Sequence, residues 1–174
     1  MRLRRLKPED RELTFAWRDN PLLWKWCRQN GPLHWSAHLD WFQRQASDPT
    51  LCMFAIIDEA HLVGVCGLTS IDMVNRRAEF SCYIAPEYQG AGLGRLALQQ
   101  LFSYGFDWLG LETIWGETFL GNPAANLFEG IGMFHEGTRR RHYYREGQWV
   151  DALLFAMTLD EYRGQPWKHS FSMV

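Results

Sequence analysis

Residues 85 to 102 read APEYQGAGLGRLALQQLF: a proline-bounded turn, glycines at alternate positions (Gly90, Gly92, Gly94), then apolar residues at helical spacing. No other stretch restricts the fold as much. The strand-like run AEFSCYIA leads into the turn, so the glycines sit where a helix start leaves backbone N–H groups unpaired and the macrodipole adds positive character. Without Cβ atoms, several amides can approach the oxygens of one bulky anion, and a phosphorylated ligand is the expected occupant. Two other phosphate loops fail here. The third glycine of G-x-G-x-x-G would fall at Arg95, and no Gly-Lys-Ser/Thr follows to make a Walker A loop.

Around this segment the hydrophobic period changes. MRLRRL alternates and predicts a short strand, KPEDRELTFAWRD a helix broken at Asn20-Pro21, and Leu22 to Cys27 a second helical piece; Ser36 is the expected N-cap of a third helix, AHLDWFQRQA. From Leu51 the pattern becomes strand-like and predicts a three-strand meander. Then follow the glycine segment, a helix over Leu93 to Trp108, the strand ETIWGETFL, the short helix PAANLFEG, and two long strands joined at Glu146-Gly147. No repeat or linker interrupts the 174 residues, and a chain of this size can bury roughly 70% of its unfolded surface around one core. One mixed α/β domain over 1–174 is expected: a helical segment (1–50), the sheet and glycine loop (51–120), and a C-terminal helix with strands (121–174).

Charge and cysteines narrow the partners. A net charge of −2 argues against a nucleic-acid scaffold, which normally carries a basic excess. Cys27, Cys52, Cys66 and Cys82 are widely spaced with no C-x-x-C pair, and they read as reduced thiols rather than disulfides or zinc ligands. His34 and His38 are four apart but separated by a loop and a cap, so no metal site is expected. The basic start lacks an apolar stretch behind it and no run of about 18 apolar residues occurs, so a cytoplasmic, non-membrane protein is expected.

Gln89, Gly92 and Gly94 write Q/R-x-x-G-x-G/A, and here the sequence resembles the GNAT superfamily of acetyl-CoA-dependent N-acyltransferases. The resemblance takes in AEFSCYIAPEYQG, the loop and its helix, IWGETF, ANLFEGIGM and FAMTLDEY, most of residues 50 to 162 in the family's order. It implies a central, mostly antiparallel twisted sheet with one splayed parallel pair, flanked by helices, and acetyl-CoA as co-substrate. By the resemblance, Gln89, Gly90, Ala91, Gly92, Leu93, Gly94 and Arg95 inherit the coenzyme A pyrophosphate, with Arg95 either adding charge there or remaining a solvated helix residue. Tyr83, Ile84 and Ala85 take the place where pantetheine pairs with the strand, and an N–H near Tyr83 or Ile84 could meet the thioester carbonyl.

Alternation puts Ala78, Phe80 and Cys82 on one strand face and Glu79, Ser81 and Tyr83 on the other. Many relatives use an acidic residue at the Glu79 position as general base, often through water; the competing reading pairs Glu79 with Arg76, Arg77 or an arginine of the 139–141 run. Where several members carry a proton-donating tyrosine this chain has Phe128, leaving Ser81, Cys82, Tyr143, Tyr144, water, or departure of the thiolate itself. Asn122 lies one residue late for a family asparagine that touches pantetheine. On the acceptor side, WRDNPLLWKWCRQNGPLHWSAHLDWF resembles W-R-N-x-P openings of nucleotide-sugar (flagellin-sugar) and RimJ/RimL-like acetyltransferases. That likeness implies a small-molecule amine acceptor, such as an amino-sugar nucleotide, with Trp24 and Trp26 stacking and Arg18, Lys25 or Arg28 meeting a phosphate. A protein N-terminus or a modified-nucleobase amine is the alternative acceptor, and an acyl-CoA sensor without turnover the alternative class. The long closing strands point to a homodimer.

Overall fold

The computed structural model describes residues 1–168. Seven strands form one sheet in the order β1 (Arg2–Arg5), β2 (Cys52–Asp58), β3 (His61–Asp72), β4 (Arg77–Ile84), β5 (Thr113–Phe119), β7 (Gln148–Thr158), β6 (Phe134–Arg145). Every neighbouring pair is antiparallel except β4 and β5. This is the mixed sheet expected from the sequence, with its strands close to their predicted places. The C-terminal segment expected over 121–174 runs beyond the described residues at 169–174.

β4 and β5 are paired only from Arg77↔Thr113 to Glu79↔Trp115, although both continue for several residues. Beyond that point they diverge. On one face of the sheet Phe80 packs at the fork: a Cβ on Gly116 would lie 2.7 Å from Phe80 Cδ1 and 2.9 Å from Cζ, so the Phe80 ring occupies the space a side chain on β5 would take. The ring is held there by Phe102 of α4 (Leu93–Ser103) and Phe128 of α5 (Ala124–Gly130), at centroid distances of 5.6 and 4.9 Å. These aromatics belong to the main core, with Leu68, Leu98, Leu101, Ile114 and Phe155.

The other face carries the N-terminal helices α1 (Arg11–Arg18), α2 (Pro21–Trp24) and α3 (Trp35–Arg44). Trp17 is buried, packs edge-on against Tyr83, and donates its indole N–H to Glu87 in the turn before the glycines (3.1 Å). Two sequence expectations are corrected here. The helix expected over Leu22 to Cys27 stops at Trp24, and only single turns carry the chain to Cys27. The third helix starts at Trp35 after His34, with Ser36 inside it rather than capping it; aromatic packing around the buried His38 decides its start instead of a side-chain cap. Residues 104–108 continue α4 in a wider π-helical turn.

Candidate active site

The divergence of β4 and β5 frees backbone groups in mid-sheet. Ala85 N–H donates to Val63 O (2.9 Å), so by antiparallel alternation Tyr83 and Ala85 turn their amides toward β3, while Cys82 and Ile84 turn theirs into the gap. Of the three residues expected along pantetheine, the backbone alternation thus brings Ile84 to the gap, with Cys82 beside it. The carbonyl of Ile84 accepts from Gln89 Nε2 (2.9 Å), so this glutamine side chain fastens the turn to the strand instead of pointing outward.

Gly90 and Gly92 hold φ values of +83° and +77°, conformations that side chains rarely adopt, and a Cβ at either would meet nothing within 4 Å. The loop is an open cradle. α4 begins directly after Gly92, so the amides at its start face the same space with the helix dipole behind them. A cleft of about 490 Å³ joins this cradle to the gap, lined by Cys82, Tyr83, Ile84, Gln89, Gly90, Gly92, Leu93, Gly94, Arg95 and Asn122, with Leu22, Leu23 and Trp26 on the acceptor side. An extended thiol cofactor with an anionic end fits these residues: bare amides for the phosphates, and an unpaired strand edge for the amides of its arm.

The remaining expected residues have local duties as well. Arg95 donates to Gly130 O at 2.6 Å, which fixes its head on the C-terminal end of α5. Asn122 Oδ1 accepts from Ala124 N–H (3.0 Å), which ties its side chain to the first residue of α5. Phe128 is buried against Phe80 and Phe155. Burial pushes the Cys82 thiol up to about 12, so it stays protonated at neutral pH. Burial likewise raises the Tyr83 hydroxyl. Trp26 lines the cleft with Lys25 over its ring, whereas Trp24 is half-buried and not among the lining residues.

Glu79 is buried on the face that carries the N-terminal helices, and the group that meets it is Arg28, from the irregular segment between α2 and α3. The sequence offered Arg76, Arg77 and the 139–141 arginines for this pairing, and Arg28 for a ligand phosphate. In the structure Arg76 bonds Gly110 O, Arg77 pairs with Asp72, and Arg28 bridges Glu79 to a second carboxylate, Glu117 (Nε to Oε1, 2.8 Å). Glu117 also accepts from Tyr143 and from Arg139 (3.2 Å). Its side chain is 4% exposed and that of Glu79 10%, against 50% for Arg28. Burial works to raise the Glu117 pKa, but the bonds from Tyr143 and Arg28 and the charges of Arg28 and Arg139 bring it net below the ordinary carboxylate value. Burial lowers the Arg28 pKa and the two glutamates more than reverse it, so the guanidinium stays charged.

Sequence reasoning missed Glu117. A signal was present: Glu79 is opposite Trp115 in the parallel register, so Glu117, two residues on, shares the face of Glu79. Arg139, Tyr143 and Arg145 join it because the bulge between Arg139 and Tyr143 adds two residues to β6, which preserves their parity.

A parallel pair that parts over a glycine cradle, with a carboxylate at the fork, defines an acyltransferase that draws its acyl group from a coenzyme A thioester. An Acetyltransferase (GNAT) domain model matches residues 1–133, and the chain belongs to this family of acetyl-CoA-dependent N-acetyltransferases. The spermidine N(1)-acetyltransferase of Vibrio cholerae serotype O1 is 32% identical over 99 residues, 55% of this chain and 57% of that protein. The [Ribosomal protein bS18]-alanine N-acetyltransferase of Salmonella typhimurium is 37% identical over 82 residues, 46% of this chain and 54% of its own length. Both matches span little more than half of the relative. In fold, the chain superposes on a crystal structure of Vibrio cholerae spermidine N-acetyltransferase in complex with CoA and spermine with a TM-score of 0.88, at 24% identity, covering 93% of this chain and 97% of that one.

Proposed function

We propose that the acceptor is a primary amine carried by a small cationic molecule of the polyamine type. One observation carries this reading: two nearly buried carboxylates, Glu79 and Glu117, lie side by side on the acceptor face where β4 and β5 part. Carboxylates attract an ammonium and repel a phosphate. Of the cations expected to meet a nucleotide phosphate, Arg28 is already engaged by both carboxylates and Arg18 donates to Gln29. The relatives point the same way, since proteins with spermidine acetyltransferase names recur among them, and none of those reported above is named for an amino sugar.

Acetyl-CoA supplies an activated acetyl group as a thioester. The chain's own residues do the rest. Glu79 takes one proton from the incoming ammonium, so the free amine can form the new C–N bond as the C–S bond breaks; that proton passes to solvent, and the second amine proton goes to the departing sulfur. In this reading the Cys82 N–H, which strand alternation turns into the gap, donates to the carbonyl oxygen as it gains charge. Phe128 offers the sulfur no proton, so this final transfer falls to another donor, and the protonated Cys82 thiol lines the same cleft.

The test is thiol release from acetyl-CoA across an amine panel of spermidine, 1,5-diaminopentane and an alanine-initiated peptide, for the wild type and Glu79→Gln. Turnover of the two polyamines is expected, with kcat lowered about 100-fold in the variant and the acetyl-CoA KM unchanged. Turnover of the peptide alone would replace this acceptor by a protein N-terminus. An unaffected variant would remove Glu79 from the chemistry, and coenzyme A binding without turnover of any amine would make the protein a sensor.

A further inference from the structure

The arrangement around Glu79 contains a conflict. A carboxylate that is to receive a proton from an amine is held instead by a guanidinium from the same chain, and that guanidinium spans the space between Glu79 and Glu117 on the side from which the amine must come. We propose that Arg28 is an internal stand-in for the acceptor's cation: it closes the acceptor site of the free enzyme and is displaced by the incoming ammonium. This rests on the amine-acceptor reading above and adds to it how the site opens, closes and selects.

Three features support displacement over permanent pairing. First, the two ends of the bridge differ in mobility, since both carboxylates are almost fully enclosed while half of the Arg28 side chain is in solvent. The arginine has an exit route and the glutamates have none. Second, the backbone of the segment is fastened independently of that side chain. Arg145 Nη2 donates to Arg28 O (2.8 Å), Arg18 Nη2 donates to Gln29 Oε1 (3.0 Å), and Leu33 N–H donates to Asp19 Oδ1 (2.7 Å). Rotation about the side-chain bonds of Arg28 therefore opens the site without moving the segment. Third, the charges balance in both states. Glu79 and Glu117 face Arg28 and Arg139, with the Tyr143 hydroxyl as a neutral donor. Replacing the guanidinium by an ammonium leaves the total unchanged, so the exchange strands no buried carboxylate, which is the outcome that would cost most.

The same exchange gives the site direction. An acetamide nitrogen carries no charge and cannot compete for two carboxylates, so Arg28 returns once the amine is acetylated and the product leaves. An acceptor bearing a carboxylate or phosphate near its amine would add a like charge to the pair and fail to displace the arginine.

The experiment uses Arg28→Ala with guanidinium ion as the probe. In thermal melts of the intact protein, millimolar guanidinium chloride is expected to raise the melting temperature of Arg28→Ala above that in sodium chloride of equal ionic strength, and to leave the wild type unmoved. In kinetics with spermidine, Arg28→Ala is expected to show an acceptor KM about tenfold lower than wild type, the gain from removing an internal competitor seated in roughly nine molecules of ten, with guanidinium now competitive against spermidine. A guanidinium ion that restores or raises turnover would overturn the proposal, because Arg28 would then be a positioning residue for Glu79; so would a raised KM, or a variant that guanidinium does not stabilise. Should Arg28→Ala fail to fold, Arg28→Lys decides, since a flexible point charge binds the pair less firmly and the spermidine KM should still fall. The melts need no turnover. If no amine is acetylated, the acceptor reading fails while the probe still reports whether Arg28 fills a cation site.

Discussion

Gly116→Ala tests the physical origin of the cofactor gap. A Cβ built on Gly116 sits 2.7 Å from Phe80 Cδ1 and 2.9 Å from Cζ, with Cε1 nearer still, where ordinary contact begins at about 3.4 Å. The ring cannot turn aside without striking Phe102 or Phe128, both in edge contact with it. Either β5 moves away from β4 or the aromatic cluster repacks. Overpacking of a filled core costs about 1–3 kcal/mol, which for a domain of this length lowers Tm by about 2–12 °C. Because the strain falls at the fork of the two strands, acetyl-CoA affinity should weaken alongside stability, read as a smaller ligand-induced rise in Tm. The control is a double-mutant cycle with Phe80→Leu, whose smaller side chain makes room for the methyl group; a coupling of about 1 kcal/mol or more is expected for groups in direct contact. If Gly116→Ala lies within about 0.5 kcal/mol of wild type, the range of ordinary surface changes, or if the two substitutions are additive, Phe80 is not the wedge and the divergence has another cause.

Two further outcomes follow from charge and burial. Asp10 accepts from both Arg4 guanidinium nitrogens (2.7 Å each) and from Lys7 N–H (2.8 Å); burial acts to raise its pKa, but these bonds hold it net below the ordinary 3.8. Such a depressed carboxylate stabilises the fold fully above the unfolded value and loses that contribution as pH falls through the folded one. Asp10→Asn should therefore be destabilised by about 3 kcal/mol in urea at pH 7, and the difference should shrink once the pH drops below about 3.8; a gap constant from pH 7 to 3 would refute the linkage. Of the cysteines, Cys66 is fully enclosed with its thiol pushed well up by burial, and Cys82 is raised to about 12, so iodoacetamide at pH 8 should modify neither in the native protein and both after denaturation, as followed by mass spectrometry. Rapid native labelling of Cys82 would show a cleft far more polar than the one described.

What the sequence revealed and what it hid divide along chain distance. The glycine cradle, the strand before it, the Glu146-Gly147 hairpin and the short helix ending at Gly130 are each written in a few consecutive residues, and local periodicity or turn chemistry suffices to place them. Glu79 was readable as a carboxylate on a known strand face for the same reason. Its partner was not, because Arg28 lies 51 residues away on a segment with no regular structure, and nothing local distinguishes it from Arg76 or Arg77. Ser36 illustrates the opposite failure: a good capping residue by local rules lost to packing of Trp35, His38, Trp41 and Phe42, which sets where the helix begins.

The fork between β4 and β5 ties stability to chemistry through one property of a strand, its alternation. Glu79 and Phe80 are consecutive, so they point to opposite faces: Phe80 packs at the fork with Phe102 of α4 and Phe128 of α5, and Glu79 meets Arg28 on the face of the N-terminal helices. A slip of one residue in the pairing of β4 would put the carboxylate among Phe102 and Phe128 and the phenyl ring against Arg28. Both outcomes are costly: an unpaired charge in an aromatic core is among the most destabilising changes available, and Arg28 would lose one of its two carboxylates to a phenyl ring. The register at which the strands part is thus the one that turns Glu79 toward Arg28, and a substitution that disturbs either face of this two-residue step should disturb the other.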